Sequence, residues 1–217
     1  MSDSLYRFDE EIREKFGAVN VAGFDEAGRG PLAGPVCSAG CVLPMDYRND
    51  LIDDSKKLTD RKRRILFEEI KKNALAYYIV LVPVEVIDKI NILEADRQGM
   101  ENCLFEIQKS CQVDYIVTDY MKLHTDIPLL SIAKGDHTSM AVAAASILAK
   151  VTRDNYMIEL DEKYPQYGFK ANKGYGTKKH IEAINKYGYI EGVHRLSFEP
   201  VRSLASGEKQ LTIFDKI

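Results

Sequence analysis

The sequence contains no long apolar run. Its longest apolar stretch, residues 140–149, includes a serine and is about half of the roughly 20 residues that a membrane-spanning helix needs. An integral membrane protein is therefore excluded, and we expect no membrane partner. The N-terminal segment MSDSLYRFDEEIREKF also lacks the basic-then-apolar order of a secretion signal, which predicts a cytoplasmic protein.

Cysteine patterns, repeats and linkers are equally scarce. Cys37, Cys41, Cys103 and Cys111 include no CxxC pair and show no zinc-ligand spacing. In a chain without an export signal we expect reduced core thiols. The first 200 residues contain no repeat, low-complexity tract or Gly/Ser linker, which favours one main domain.

The net charge of -3 hides two basic segments. Residues 55–72 and residues 163–202 each hold eight Lys or Arg against three acids. Basic clusters on an acidic body are typical of nucleic-acid binding. Solvated helix faces remain the alternative explanation.

The apolar pattern predicts an α/β domain with a mixed sheet. Strands are predicted from their β-branched and aromatic content, two within 18–43, one over 74–84 and one over 113–119. Helices are predicted from apolar spacing, over 59–73 with Thr59 at its start, around 100–111 and from Thr138 onward. A helix near 178–187 belongs to a small C-terminal module, 164–202.

Acidic residues stand at the ends of the predicted core elements. Asp25 and Glu26 end the first strand, Asp119 ends the strand over 113–119, and Asp136 precedes the helix near Thr138. Buried carboxylates need a neutralising cation, and hard oxygen ligands suit a pair of Mg²⁺ or Mn²⁺ ions. A turn-initiating role for the pair and an N-cap role for Asp136 are the alternatives.

Two other kinds of site are disfavoured. The segment GRGPLAG after the first strand resembles a phosphate-cradling loop, but Pro31 and Pro35 prevent a continuous helix and no GK[ST] follows. The four histidines are scattered and have no Ser or Cys nucleophile at a recognisable spacing. A nucleotide-binding enzyme and a histidine-centred hydrolase are therefore poor interpretations.

Five ordered motifs resemble type 2 ribonuclease H, the ribonuclease HII family, in its bacterial branch. They are DEAGRGPLAGPV at 25–36, DSKKLT at 54–59, KGDHTSMAVAAASILAKVTRD at 134–154, YPQYGFKANKGYGTKKHIEAI at 164–184 and HRLSF at 194–198. The resemblance implies an RNase H-like α/β fold with a mixed central β-sheet flanked by helices. It also implies a catalytic domain over 1–163 and a substrate-binding helical module over 164–202.

The resemblance also implies the site. The metal-binding catalytic carboxylates fall on Asp25, Glu26, Asp119 and Asp136. The residues implied to bind substrate are Gly28, Arg29, Gly30, Ser55, Lys56 and Tyr175. The implied enzyme uses two divalent ions to cut the RNA strand of RNA–DNA hybrids and the 5′ side of single ribonucleotides in duplex DNA, leaving 3′-hydroxyl and 5′-phosphate ends.

Two other functions remain as alternatives. One is a non-catalytic hybrid-binding module, which the intact acidic set disfavours. The other is a related metal-dependent nuclease acting on DNA junctions. The Gly28–Gly30 element together with Tyr175 disfavours this second alternative.

The sequence departs from the family pattern at two places and carries an unusual tail. Tyr120 stands where glycine is expected, and the segment at 95–97 is expected to alter surface charge only. Residues 203–209 are predicted to be a flexible spacer within a tail over 203–217. The following residues resemble a motif that docks on the replication sliding clamp, through Gln210, Leu211, Ile213 and Phe214, although they could instead pack on the nuclease body.

Overall fold

The computed structural model describes residues 2–49, 51–52 and 58–207. The predicted substrate contacts Ser55 and Lys56 and the predicted clamp motif at 210–214 lie outside these residues. Within the described ranges, no helix is both long enough and apolar enough to cross a membrane.

The described chain contains five strands among its helices, and only helices follow the last strand. The strands are β1 (Val21–Ala27), β2 (Val36–Val42), β3 (Ala76–Val82), β4 (Tyr115–Asp119) and β5 (Leu129–Ile132). The longer helices are α1 (Ser2–Phe16), α2 (Asp60–Asn73), α4 (Ile92–Gln108), α5 (Met140–Lys163) and α7 (Lys178–Tyr187). The shorter ones are α3 (Val84–Ile90), α6 (Phe169–Asn172) and α8 (Val201–Ser206), with 3₁₀ turns at Gly135–His137 and Pro165–Tyr167.

The sheet is mixed, as the sequence predicts. Its strand order is β3-β2-β1-β4-β5. Strand β1 pairs antiparallel with β2 and parallel with β4, and β4 pairs parallel with β5. The four predicted strands are confirmed as β1 to β4, whereas β5 has only four half-buried residues and no alternating pattern that would predict it.

The described residues form two compact units. The first contains the chain up to Ala27, Cys37–Leu81 and Asp96–Thr152. The second contains Gly28–Val36, Val82–Ala95 and the chain from Arg153 onward. The second unit thus adds two distant segments to the predicted module 164–202, a combination that sequence order does not indicate.

In the first unit, helix α5 crosses β1 at very short range. A Cβ on Gly23 would lie 2.1 Å from the carbonyl carbon of Ala141, so only glycine fits there. The small residues that follow, Ala143, Ala144 and Ala145, are fully buried in the same core. This close approach brings the start of α5 to the strand that carries Asp25 and Glu26.

The N-terminus of α5 is capped by residues other than Asp136, which corrects the N-cap alternative. Asp136 lies in the 3₁₀ turn that precedes the helix. The hydroxyl of Ser139 accepts a hydrogen bond from the Val142 N–H, and a carboxylate oxygen of Asp9 in α1 accepts one from Ala141 N–H. Burial raises the pKa of Asp9 to about 6.

Residues 203–206 of the predicted spacer are helical, which corrects that part of the prediction. They belong to α8, where Val201 is buried. The Glu199 carboxylate accepts hydrogen bonds from the Ser203 N–H and hydroxyl, and it forms an ion pair with Arg202. These local contacts stabilise a short helix that the polar composition of the segment does not predict.

Asp96 is fully buried, so the expectation that it alters only surface charge is wrong. Its Oδ1 atom accepts a hydrogen bond of 3.0 Å from the Ser38 hydroxyl on β2. The buried Ser38 hydroxyl thus has an acceptor in one carboxylate oxygen of Asp96 within the first unit. Cys37, Cys41 and Cys103 are buried and Cys111 is half-buried, and none of the four forms a disulfide.

Candidate functional site

The parallel pairing of β1 and β4 brings three acidic residues to one edge of the sheet. Phe24 of β1 pairs with Thr118 of β4. Asp25 and Glu26 follow Phe24, and Asp119 follows Thr118. Because parallel strands end at the same edge, these carboxylates are neighbours although some 90 residues separate them in the chain.

Asp136 joins this edge through the 3₁₀ turn. The N–H of Gly135 donates a 3.1 Å hydrogen bond to Oδ1 of Asp119, which ties the turn to the end of β4. Asp136 itself is buried, and its Oδ2 atom lies 3.8 Å from Nε2 of His137. The first unit therefore places Asp25, Glu26 and Asp119 at one sheet edge and ties the turn that carries Asp136 to that edge; we term these four acids the carboxylate cluster.

The electrostatics of this cluster are unfavourable without a cation. Burial raises the pKa of Asp25 well above its usual range, and the nearby charge of Glu26 raises it further. Asp119 acts in the same direction, while a hydrogen bond with Ser146 opposes the rise. Buried carboxylates that repel one another are stabilised by a positive ion placed among them.

The donor set fits a hard divalent cation such as Mg²⁺ or Mn²⁺ in its chemistry and its location. Among the described residues, however, no group of three or more His, Cys, Asp or Glu side chains could hold a metal ion as it stands. The carboxylate cluster therefore supplies suitable ligand types but does not form a complete metal cage as it stands.

Tyr120 follows the cluster directly and is the most exposed tyrosine of the described chain, at 74%. Its φ angle is +57°, a left-handed conformation that favours glycine. The backbone thus keeps the shape expected for glycine at this position, and the phenol ring projects into solvent instead of closing the loop.

The second unit contains the predicted ribonucleotide-binding residues Gly28, Arg29 and Gly30. They begin a loop over residues 28–35, here called the glycine loop. Gly28 has φ +97°, and a Cβ there would lie 1.9 Å from Nε of Arg153. The guanidinium of Arg195 is fully buried and donates hydrogen bonds to the carbonyl oxygens of Gly28, Arg29 and Gly34 at 2.6, 2.8 and 2.9 Å. The conformation of the loop is thereby fixed from its buried side.

A second arginine holds the other half of the glycine loop. Arg153 donates to the carbonyl oxygens of Ala33, Pro35 and Lys173. Burial, followed by the charge of Arg153, lowers the pKa of Arg195 to about 9, so Arg195 remains protonated at neutral pH. Sequence reasoning missed both arginines as site residues, although Arg153 lies in the quoted motif at 134–154 and Arg195 in HRLSF.

Tyr175 lies beside the glycine loop within the same unit. A Cβ on Gly30 would be 3.6 Å from Cε1 of Tyr175, and the tyrosine is 49% exposed. Its own backbone is tied down, because its N–H donates to the carbonyl of Asn172 and its carbonyl accepts from the Thr177 N–H. The structure thus brings Gly28, Arg29, Gly30 and Tyr175 together, with an aromatic face open to solvent.

A mixed sheet with acidic residues at the ends of adjacent parallel strands defines the class of RNase H-like nucleases. A sequence model of ribonuclease HII matches residues 22–201. This chain belongs to the ribonuclease HII family. It is therefore a ribonuclease H, an endonuclease with the family's activity on RNA–DNA hybrids. This assignment favours the nuclease over both alternative functions.

Relatives and solved structures agree with this assignment. The chain is 48% identical over 200 residues to ribonuclease HII of Bacillus mycoides strain KBAB4, covering 92% of this chain and 76% of the relative. Ribonuclease H2 of Pyrococcus horikoshii OT3 is 27% identical with a TM-score of 0.74, covering 87% and 98% of the two chains. Ribonuclease HII of Archaeoglobus fulgidus, solved in a complex with PCNA, is 25% identical with a TM-score of 0.70, covering 90% and 99%.

Proposed function

We propose that this chain also cuts duplex DNA on the 5′ side of a single embedded ribonucleotide, using two divalent ions held by Asp25, Glu26, Asp119 and Asp136. The observation that supports this most directly is the position of Asp25, Glu26 and Asp119 at one sheet edge, with the turn that carries Asp136 hydrogen-bonded to Asp119. The products would carry 3′-hydroxyl and 5′-phosphate ends.

Mg²⁺ or Mn²⁺ held by Asp25, Glu26, Asp119 and Asp136 would supply Lewis acidity for the attacking water and for the departing 3′-oxygen. The protein residues hold the ligands in place. Asp25 and Glu26 are fixed by the pairing of β1, and Asp119 is fixed by the N–H of Gly135. No protein nucleophile is required by this chemistry.

Recognition of the ribonucleotide is proposed for Gly28, Arg29, Gly30 and Tyr175, with phosphate contacts from Ser55 and Lys56. Only the 2′-hydroxyl distinguishes RNA from DNA at one position, and glycines let backbone groups approach it closely. The exposed ring of Tyr175 can then pack on the neighbouring sugar and accept one that lacks the hydroxyl. The glycine loop and Tyr175 form one reading element on this view.

Replacing Tyr175 with Ala should reduce cleavage at a single embedded ribonucleotide about tenfold more than cleavage of a uniform RNA–DNA hybrid. The reason is that the lost ring tests the RNA-to-DNA step, and such stacking contacts contribute about 1–3 kcal/mol. Initial rates on two duplexes of matched length measure the ratio. Tyr175→Phe is the control and should keep the wild-type ratio, because it retains the ring; an equal loss on both substrates by Tyr175→Ala would refute the role.

We further propose that residues 210–214 dock on the sliding clamp. The proposal is supported by their sequence, with Gln210 followed by three apolar residues, and by the PCNA complex of the Archaeoglobus relative.

A cytoplasmic location stays a prediction.

Truncation after Lys209 should abolish binding to purified clamp and leave the melting temperature and the activity on short oligonucleotides unchanged. A short linear segment binds through a few anchors and contributes nothing to the nuclease core. Binding is measured at tens of micromolar clamp, where a weak motif still registers. A lower melting temperature after truncation, or no binding by the intact chain, would contradict docking.

A further inference from the structure

Two buried histidines in the second unit have no part in the proposed chemistry. His180 in α7 and His194 are both fully buried, and their Nε2 atoms lie 3.2 Å apart. The rings of Tyr167 and Phe169 enclose them. The sequence shows these histidines only as scattered residues, 14 positions apart.

The neighbours of the pair determine where each imidazole carries its proton. The N–H of Ile190 donates to Nδ1 of His194 at 2.9 Å, so the proton of neutral His194 is on Nε2. Nδ1 of His180 lies 2.9 Å from the carbonyl oxygen of Tyr175, which can only accept, so the proton of neutral His180 is on Nδ1. His194 then donates to His180 through the two Nε2 atoms.

The result is one directed chain of hydrogen bonds in which each donor meets an acceptor. It runs from the Ile190 N–H through His194 and His180 to the carbonyl of Tyr175. Burial lowers the pKa of His180, and burial together with the charge of His180 lowers the pKa of His194 to about 4. Both imidazoles are therefore neutral at neutral pH, as these hydrogen-bond directions require.

The same segment is bound to the glycine loop. His194 forms an isolated β-bridge with Ala33, and the N–H of Arg195 donates to the carbonyl of Leu32. The Arg195 side chain reaches the carbonyl oxygens of Gly28 and Arg29, as described above. His194 and Arg195 thus both contact the glycine loop. His194 also acts through His180 on the backbone of Tyr175.

We infer that His180 and His194 are positioning residues for ribonucleotide recognition, holding the backbone of Tyr175 in register with Gly28–Gly30. This inference rests on the proposed role of Tyr175 in reading the sugar. If the pair served stability alone, its loss would affect every substrate equally. A positioning role instead predicts a selective loss at the single ribonucleotide.

His180→Phe removes both hydrogen bonds of the imidazole and keeps an aromatic ring in the cluster. We expect the ratio of single-ribonucleotide to uniform-hybrid cleavage to fall about tenfold, the equivalent of one lost hydrogen bond at the upper end of the usual range. His180→Asn, whose amide can still donate toward the Tyr175 carbonyl, should restore most of the ratio. If His180→Phe does not fold, His194→Phe interrupts the same chain at its other member.

Tyr167→Phe is the matched control. It removes the 2.8 Å hydrogen bond from the Tyr167 hydroxyl to the Gly188 carbonyl, in the same aromatic cluster but outside the histidine chain. Its melting temperature should fall while the substrate ratio stays at the wild-type value. A changed ratio in Tyr167→Phe would mean that any loosening of the cluster alters recognition, which would overturn the inference.

The double variant Tyr175→Ala/His180→Phe separates this inference from the proposed function. If the histidines act through Tyr175, the second change should leave the ratio of Tyr175→Ala unaltered. A changed ratio in Tyr175→Ala with an unchanged ratio in His180→Phe would overturn the inference alone. An unchanged ratio in Tyr175→Ala would overturn the proposed role of Tyr175 and the inference with it.

NMR of the imidazole nitrogens in the intact protein tests the chain of hydrogen bonds directly, without an activity assay. At neutral pH, His180 should show the Nδ1-protonated form and His194 the Nε2-protonated form. Any other assignment, or a protonated imidazole in either residue, would overturn the inference whatever the cleavage assays give.

Discussion

Changing Asp25 or Asp136 to Asn should lower cleavage of an RNA–DNA hybrid by several orders of magnitude while hybrid binding persists. Asparagine keeps the shape of the side chain but removes the charge that is proposed to hold a divalent ion. Both residues are buried, so the substitution leaves the surface that contacts nucleic acid unaltered. Single-turnover rates and a binding titration in chelator separate the two effects.

Asp25→Asn should also raise the melting temperature of the metal-free chain. The pKa of Asp25 is raised by burial and by Glu26 and Asp119, so its ionised form opposes folding at neutral pH. For such a group the stability that protonation provides is complete below the unfolded pKa of about 4 and is lost as the pH rises through the folded value. Asparagine removes this cost at every pH.

Asp126→Asn is the control for both measurements, because Asp126 is an exposed carboxylate of the first unit outside the carboxylate cluster. It should leave the rate and the melting temperature unchanged. Near-normal cleavage by both Asp25→Asn and Asp136→Asn would refute the assignment of the cluster as the metal site.

Gly28→Ala should abolish most activity at a single ribonucleotide and lower the melting temperature by roughly 10 °C. An L-residue at φ +97° costs about 1–2 kcal/mol, and the added methyl would lie 1.9 Å from Nε of Arg153, which must then leave its carbonyl partners. A total cost of about 2–4 kcal/mol corresponds to a shift of this size in a chain of this length.

Gly30→Ala is the matched comparison within the same loop. Its Cβ would make an ordinary contact of 3.6 Å with Tyr175, so the melting temperature should stay close to wild type. Cleavage at the single ribonucleotide should still fall, because the methyl occupies the side of the loop that faces Tyr175. Equal melting temperatures for the two variants would contradict the account of the glycine loop.

The sequence predicted best the features that depend on local patterns. Thr59 opens α2 by accepting from the Lys62 N–H, as expected, and Thr177 caps α7 in the same way. The acids at the ends of β1 and β4 could be predicted to meet, because the sequence shows apolar strands with acidic residues at their ends. Parallel pairing of the two strands places those ends at the same edge.

Features that depend on distant partners could not be predicted. The cap that Asp9 provides to α5 spans 132 positions, and Arg195 reaches Gly28 across 167. Tyr77 and Tyr78 are exposed on β3, which lies at the edge of the sheet. Composition identifies these residues as apolar or charged but does not reveal which neighbour each one meets.

The most direct test of the central claim is incubation of the full chain with a DNA duplex that contains one ribonucleotide, in chelator and with Mg²⁺ or Mn²⁺ supplied separately. We predict no cleavage in chelator and, with metal, a single cut on the 5′ side of the ribonucleotide that leaves a 5′-phosphate on the downstream product. Cleavage that persists in chelator, or an intact duplex with either metal while a uniform hybrid is cut, would contradict the account.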